Sequence, residues 1–133
     1  MALNLRTSAR TGVAQAIITD AGAGAKLKLY NGTRPAGVAA IGGGNTLLAT
    51  LSWAGNIGTA AAGALDWDEA GAAQTNTSHV AGTPTFADIT TSADVVVGRV
   101  DIAAGAGNWQ FTGTVANAQN VTLTSLVFTA GNA

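Results

Sequence analysis

The side chains that could do chemistry are few and scattered. The lone histidine, His79, follows Ser78 in a polar stretch of Ser, Thr and Asn. A hydrolytic site needs a base within hydrogen-bond reach of its nucleophile, and adjacency in sequence does not supply that. His79 therefore reads as a loop residue. Asp66, Asp68 and Glu69 form a short acidic run. On a strand, Asp66 and Asp68 point to one face, the first requirement of a cation site or a carboxylate pair. Hard cations want six or more oxygen ligands, and no Asp-x-Asp-x-Asp-Gly loop follows. A glycosidase pair needs one carboxyl with a raised pKa in a cleft. The run reads instead as the solvated face of a strand whose Trp67 turns inward. The glycine-rich pieces 21–26 and 42–45 match neither phosphate-loop pattern. Without cysteine there is no disulfide framework and no thiolate metal site. The N-x-[ST] matches at Asn31, Asn76 and Asn120 matter only in a secreted chain. The expectation is no enzyme, no metal and no cofactor.

Binding is the better prospect. Trp53, Trp67 and Trp109 all fall on expected strands, where such rings are usually core. The alternative is a carbohydrate-binding platform that helps attachment. Six Lys and Arg residues and a pI near 5.5 argue against nucleic acid. The cations are unevenly placed. Arg6, Arg10, Lys26, Lys28 and Arg34 face only Asp20 over residues 1–34, a net charge of +4, while the rest of the chain carries −5. Such a dipole could orient docking onto a partner. Arg6, Arg10 and Arg34 are the candidate protein-contact residues.

The elements that would position these groups are mostly short strands. One helix is expected over about 7–21, with Ala9, Val13, Ala16 and Ile17 at helical spacing. Thr7 or Ser8 is the expected N-cap and Gly22 the stop. The period then changes to two. Residues 26–30 alternate with Leu27 and Leu29 inward, and Asn31-Gly32 signals a turn. Residues 36–44 read as a flexible surface loop. Residues 46–53 form a second strand with Leu47, Ala49, Leu51 and Trp53 on one face. Residues 54–63 read as a loop of small residues, 65–68 as a strand, and 69–82 as a long connection or a poor strand. Further strands are expected over 83–89, 93–102, 109–115 and 121–128, with Asn117 to Asn120 joining the last two as a hairpin. In the 93–102 strand, Val95, Val97 and Arg99 share a face, and Gly98 marks a bulge. Seven or eight short strands with one N-terminal helix give an all-β fold, a β-sandwich or jelly roll, in a single domain over 1–133.

Composition fits a chain held among neighbours. Of the 47% apolar residues, 29 are Ala, so large core side chains are sparse. Burial energy scales with apolar area at about 25 cal/mol per Å², which implies modest stability for the chain alone. Charged residues are 10% of the chain, against roughly 25% in ordinary soluble domains. Partner binding would add stability by mass action. No signal-peptide pattern follows Arg6 and Arg10, and no stretch approaches a membrane span. Assembly in the cytoplasm, without a membrane, is expected.

Several segments together resemble a known group. They are the start Met1-Ala2-Leu3-Asn4-Leu5-Arg6-Thr7-Ser8, the strand and turn from Leu27 to Ala36 (LKLYNGTRPA), the strand Thr46-Leu47-Leu48-Ala49-Thr50-Leu51, and the ending from Val121 to Asn132 (VTLTSLVFTAGN). In order along the chain, these resemble short tailed-phage virion proteins, some of them similar to jelly-roll cement proteins that decorate capsids. Residues 71–92 depart from that pattern. The resemblance implies a structural virion protein on the capsid exterior that binds the major capsid protein, self-associates as a homodimer and cements neighbouring subunits. It carries no catalytic residues. Arg6 and Arg10 would then meet an acidic patch of the shell. A tail or head–tail connector component is the alternative within the same class.

Overall fold

The structure, a computed structural model, describes residues 5–74, 80–102 and 127–129. The expected strand 109–115, the hairpin 117–120, Trp109, Ser78 and His79 lie outside the described residues. What is described is mostly β, with one helix and two antiparallel sheets. Helix α1 spans Thr7–Ala21 and is followed by β1 (Lys26–Tyr30), β2 (Leu47–Trp53), β3 (Gly58–Ala61), β4 (Ala64–Trp67), β5 (Ala72–Gln74), β6 (Phe86–Thr90), β7 (Val96–Asp101) and β8 (Val127–Thr129). The larger sheet has the order β5-β2-β1-β6-β7 and the smaller one β3-β4-β8.

Helix α1 ends where Gly22 stops it, with the Gly22 N–H on the Ile18 carbonyl at 3.0 Å. Its start differs from expectation. Arg6 is the N-cap, without a side-chain cap bond, and Thr7 is already helical. Its buried stripe is Ala14, Ile18 and Ala21, with Ile17 packed beside it, while Val13 is exposed. The reason is that α1 packs on β3 and β4. An Ala-rich helix has almost no amphipathic preference of its own, so the neighbour chooses the face.

The inner face of the larger sheet carries Leu27, Leu29, Ala49, Leu51, Ala87 and Ile89, all buried. Across the core, Leu65 and Trp67 come from β4 and Ile57 from the turn before β3. Trp53 and Trp67 meet there at 6.0 Å between ring centroids. The Trp53 indole N–H donates to the Asp68 carbonyl at 2.7 Å, which satisfies its one polar atom. Both rings are core, so they supply no exposed platform for a sugar.

Irregular ladders account for two further departures. The β1–β2 register shifts between Leu29 and Tyr30, so that Leu48 is buried and Leu47 is exposed on the opposite side. In β7 the register shifts opposite Ile89 and Thr90, the bulge expected at Gly98. Val97 is the extra residue, and it packs on the core with Val100 and Ile102 rather than sharing the face of Arg99. Residues 54–63, expected as a loop, contain β3 instead, while 69–82, expected as a long connection or a poor strand, contain the three-residue β5.

Candidate functional site

The outer face of the larger sheet holds the most concentrated chemistry among the described residues. Because side chains alternate along a strand, paired residues in register share a face. Thr50, Lys28, Asp88 and Arg99 therefore form one row across β2, β1, β6 and β7. Ser52, Lys26 and Thr90 form the next row, and Leu47, Tyr30, Phe86 and Asp101 the row on the other side. An outer sheet face normally meets water, yet Asp88, Thr90, Arg99 and Phe86 are all buried.

The loop 31–46 folds back over the Arg99 side of this face, where Arg99 reaches the carbonyls of Gly37 and Ala39. Its neck is closed by two bonds between its ends: the Asn31 N–H donates to the Thr46 carbonyl at 3.2 Å, and the Thr46 N–H to Asn31 Oδ1 at 2.8 Å. Asn45 fills the interior, its Nδ2 donating to the carbonyls of Asn31 and Thr33 at 3.0 and 2.9 Å. Gly32 sits at φ +85°, and a Cβ there would come within 2.7 Å of the Gly44 carbonyl oxygen, so only glycine fits. The Thr85 hydroxyl donates to the Gly32 carbonyl at 2.6 Å. The expected loop is present, but it is tied down along its length.

Arg99 makes the main tie. Its Nε and Nη2 form a bidentate pair with the two oxygens of Asp88, the second at 2.8 Å. The remaining Nη1 donates to the carbonyls of Ala39 at 2.8 Å and Gly37 at 3.4 Å. The guanidinium lies 5.6 Å from the Phe86 ring centroid, and Phe86 stacks on Tyr30 at 5.2 Å. Hydrogen bonding to Asp88 raises the pKa of Arg99 further above its already high value. Burial, followed by the nearby Asp88 charge, pushes the Tyr30 phenol up, so it stays neutral. At the open end, Lys26 and Lys28 both reach Asp94 Oδ1 at 2.9 Å. Their hydrogen bonds lower the Asp94 pKa and keep it ionised.

These shifts drive each group away from a half-protonated state near neutral pH, the opposite of what a general acid or base requires. Both Asp88 oxygens are occupied and the side chain is 2% exposed. The arrangement is built to hold a loop. Among the described residues, no group of three or more His, Cys, Asp and Glu side chains converges to hold a metal. A wide groove of about 850 Å³ runs between α1 and β7, and among the described residues Asp20 is the one ionisable side chain lining it.

The candidate contact residues fall at separate places. Arg6 is exposed at the start of α1. Arg10 lies against the β3–β4 turn, its guanidinium over Gly63, while the Gly63 N–H donates to the Thr11 hydroxyl at 2.9 Å. Arg34 belongs to the 31–46 loop and pairs with Asp101 at 3.3 Å. Arg10 is thus largely a brace between the helix and the small sheet, and Arg34 a further loop tie. Asp66 and Asp68 are exposed, with Asp68 Oδ1 accepting from the Gly71 N–H at 2.9 Å. The Asp88–Arg99 pair was missed in the sequence. Its signal was present: each residue interrupts an apolar strand, with opposite sign, on either side of the turn at 91–95.

No protein-family model, curated protein or solved structure matches this chain.

Proposed function

We propose that the chain is a non-enzymatic structural protein that works by docking onto a larger assembly, a tailed-phage capsid exterior whose neighbouring subunits it cements. The observation that carries the reading is the 31–46 loop. It is exposed over most of its length, built mostly from small neutral residues with Arg34 as its ionisable side chain, and anchored by Asn31, Asn45, Thr85 and Arg99. A loop ordered before it binds loses little conformational entropy on contact, which favours recognition. The strongest electrostatic interactions on the sheet hold that loop and, among the described residues, leave no poised acid, base or nucleophile beneath it.

The resemblance of the N-terminal, 27–36, 46–51 and 121–132 segments to short phage virion proteins supplies the assembly. The two antiparallel sheets facing across Trp53 and Trp67 support a jelly-roll sandwich as the finer description of the fold. The mechanism is mechanical. A domain that touches two shell subunits adds interface that must break before they part, and a standard interface buries about 1,600 Å² in total. Repetition over a symmetric shell multiplies modest contacts. A homodimer of the chain would extend the bridge. Arg6, the exposed cation at the start of α1, is proposed to meet an acidic patch of the major capsid protein.

Cryo-electron microscopy of particles containing this chain tests the reading. Density for it at many symmetry-related shell positions supports the cement role. Density confined to the tail supports a connector role, and its absence from particles overturns both.

A further inference from the structure

The step Asn31-Gly32 is the only Asn-Gly pair in the chain. In such a pair the backbone nitrogen of the glycine can attack the side-chain amide carbon of the asparagine, because the glycine has no side chain to crowd the approach. Gly32 is exposed, and its N–H meets no acceptor among the described residues. Asn31 is half-buried in the neck of the 31–46 loop, where it is held at three points. Its N–H donates to the Thr46 carbonyl at 3.2 Å, its Oδ1 accepts from the Thr46 N–H at 2.8 Å, and its carbonyl accepts from Asn45 Nδ2 at 3.0 Å. One residue on, the Gly32 carbonyl accepts from the Thr85 hydroxyl at 2.6 Å.

From this geometry we infer that Asn31 is a site of spontaneous deamidation whose rate is set by the loop neck. Closing the five-membered ring requires the Asn31 side chain and the 31–32 peptide to turn toward one another. With Oδ1 on Thr46 and the carbonyls of residues 31 and 32 on Asn45 and Thr85, neither turns while the neck is shut. Reaction therefore passes through local opening, at a rate reduced by the small open fraction. In the open neck the Gly32 nitrogen bonds to Asn31 Cγ and the Cγ–Nδ2 bond breaks. Nδ2 leaves as ammonia, carrying the proton that the Gly32 nitrogen gives up. Water then opens the succinimide at either carbonyl. One product is an ordinary aspartate, whose carboxylate still accepts from the Thr46 N–H, so the neck re-forms. The other is isoaspartate, in which the main chain runs through Cβ and Cγ and is one carbon longer. The neck has no room for that carbon: even a Cβ on Gly32 would come within 2.7 Å of the Gly44 carbonyl oxygen and 2.8 Å of Asn45 Nδ2. The isoaspartyl chain keeps the tie between Arg99 and the carbonyls of Gly37 and Ala39 but cannot close its neck. A transient opening is thus converted into permanent release of one end of the loop. None of this depends on what the loop docks onto.

The test uses the purified full-length chain, aged at mildly alkaline pH either folded or in urea. Peptide mass spectrometry reads the fraction of Asn31 converted, and electron-transfer fragmentation separates aspartate from isoaspartate. The expected result is conversion at least about tenfold slower in the folded chain than in urea. Asn45→Ala, which removes the bonds to the carbonyls of Asn31 and Thr33, should speed conversion in the folded chain and leave the rate in urea unchanged. Thr85→Val, a milder change that deletes the hydroxyl bond to the Gly32 carbonyl, should act in the same direction. After ageing, the isoaspartyl fraction should exchange amide hydrogens faster over 31–46 than fresh protein, while Asn31→Asp exchanges as wild type does. Equal rates in the folded chain and in urea overturn the inference, as do folded Asn45→Ala and Thr85→Val variants that convert no faster than wild type. An isoaspartyl fraction that exchanges like fresh protein overturns the permanent release.

Discussion

Removing Arg99 gives the sharpest test of how the sheet face and its loop are coupled. In Arg99→Met the Asp88 carboxylate keeps its buried position but loses both of its guanidinium partners. Breaking a buried ion pair by deleting one member costs about 3–5 kcal/mol, because the other charge is left without compensation. The carbonyls of Gly37 and Ala39 lose their shared donor as well. At about 0.5–1.5 kcal/mol for each hydrogen bond, that adds about 1–3 kcal/mol, less where water replaces the donor. Asp88→Val alone should cost about 3–5 kcal/mol for the converse reason, a buried guanidinium without its carboxylate. The double variant Asp88→Val/Arg99→Met has no buried charge left, and only the loop-carbonyl cost of about 1–3 kcal/mol should remain. Urea denaturation of the four proteins, followed by tryptophan fluorescence and circular dichroism, completes the cycle. The double variant should be more stable than either single one. Strict additivity of the two single effects, or a loss below about 1 kcal/mol in Arg99→Met, would refute the claim that this pair is a coupled buried unit.

Three further outcomes follow from individual contacts. Gly58→Ala should destabilise by about 2–4 kcal/mol in the same denaturation assay, since the new Cβ would overlap the Asp66 carbonyl oxygen and come within 2.8 Å of Trp67 Cα. Asp94→Asn should lower stability at pH 7 by no more than about 1 kcal/mol, because the pairs with Lys26 and Lys28 are half-exposed. Asp94 has a depressed pKa when folded, so its contribution is present above the ordinary value of 3.8 and is lost as pH falls through the lower folded value; the gap between wild type and variant should close in acid melts. Tyr30 has a raised pKa, so its contribution holds below pH 10.0 and is lost as pH rises through the folded value. The phenolate absorbance of the native protein should titrate above 10.0, and Tyr30→Phe should remove that alkaline loss of stability.

Local pattern revealed the elements whose neighbours agree with it. The alternation in 26–30 correctly places Leu27 and Leu29 inward because β1 lies mid-sheet and its ladder to β6 is regular. Gly22 ends α1 because a helix stop is a local event. The face of α1 was illegible, since Ala9, Ala14, Ala16 and Ala21 differ only in what lies opposite them. Leu47 and Leu48 exchanged roles because a bulge changes which residue of a pair turns inward, and two adjacent leucines give no hint of it. Strand β3, Gly58–Ala61, has no large side chain to alternate and is a strand only because β4 pairs with it. The candidate site was hidden for a related reason. Residues 36–44 look like a free loop in the sequence, and only the hairpin of β6 and β7 carries Arg99 to the place where their carbonyls can bind it.

Between Arg34 and Asp66 the chain carries no ionisable side chain, and this bears on how it survives its own synthesis. Strand β2 is a seven-residue, largely apolar run, LLATLSW, with no proline and no ionisable group. Such segments invite intermolecular pairing while they stay uncovered. Of its two ladder neighbours, β1 precedes it in the chain, but β5 is made later. Arg34 and Asp66 lie too far from Leu47 and Trp53 to flank the strand with charge, so β2 depends for cover on β1, which is already made when it emerges.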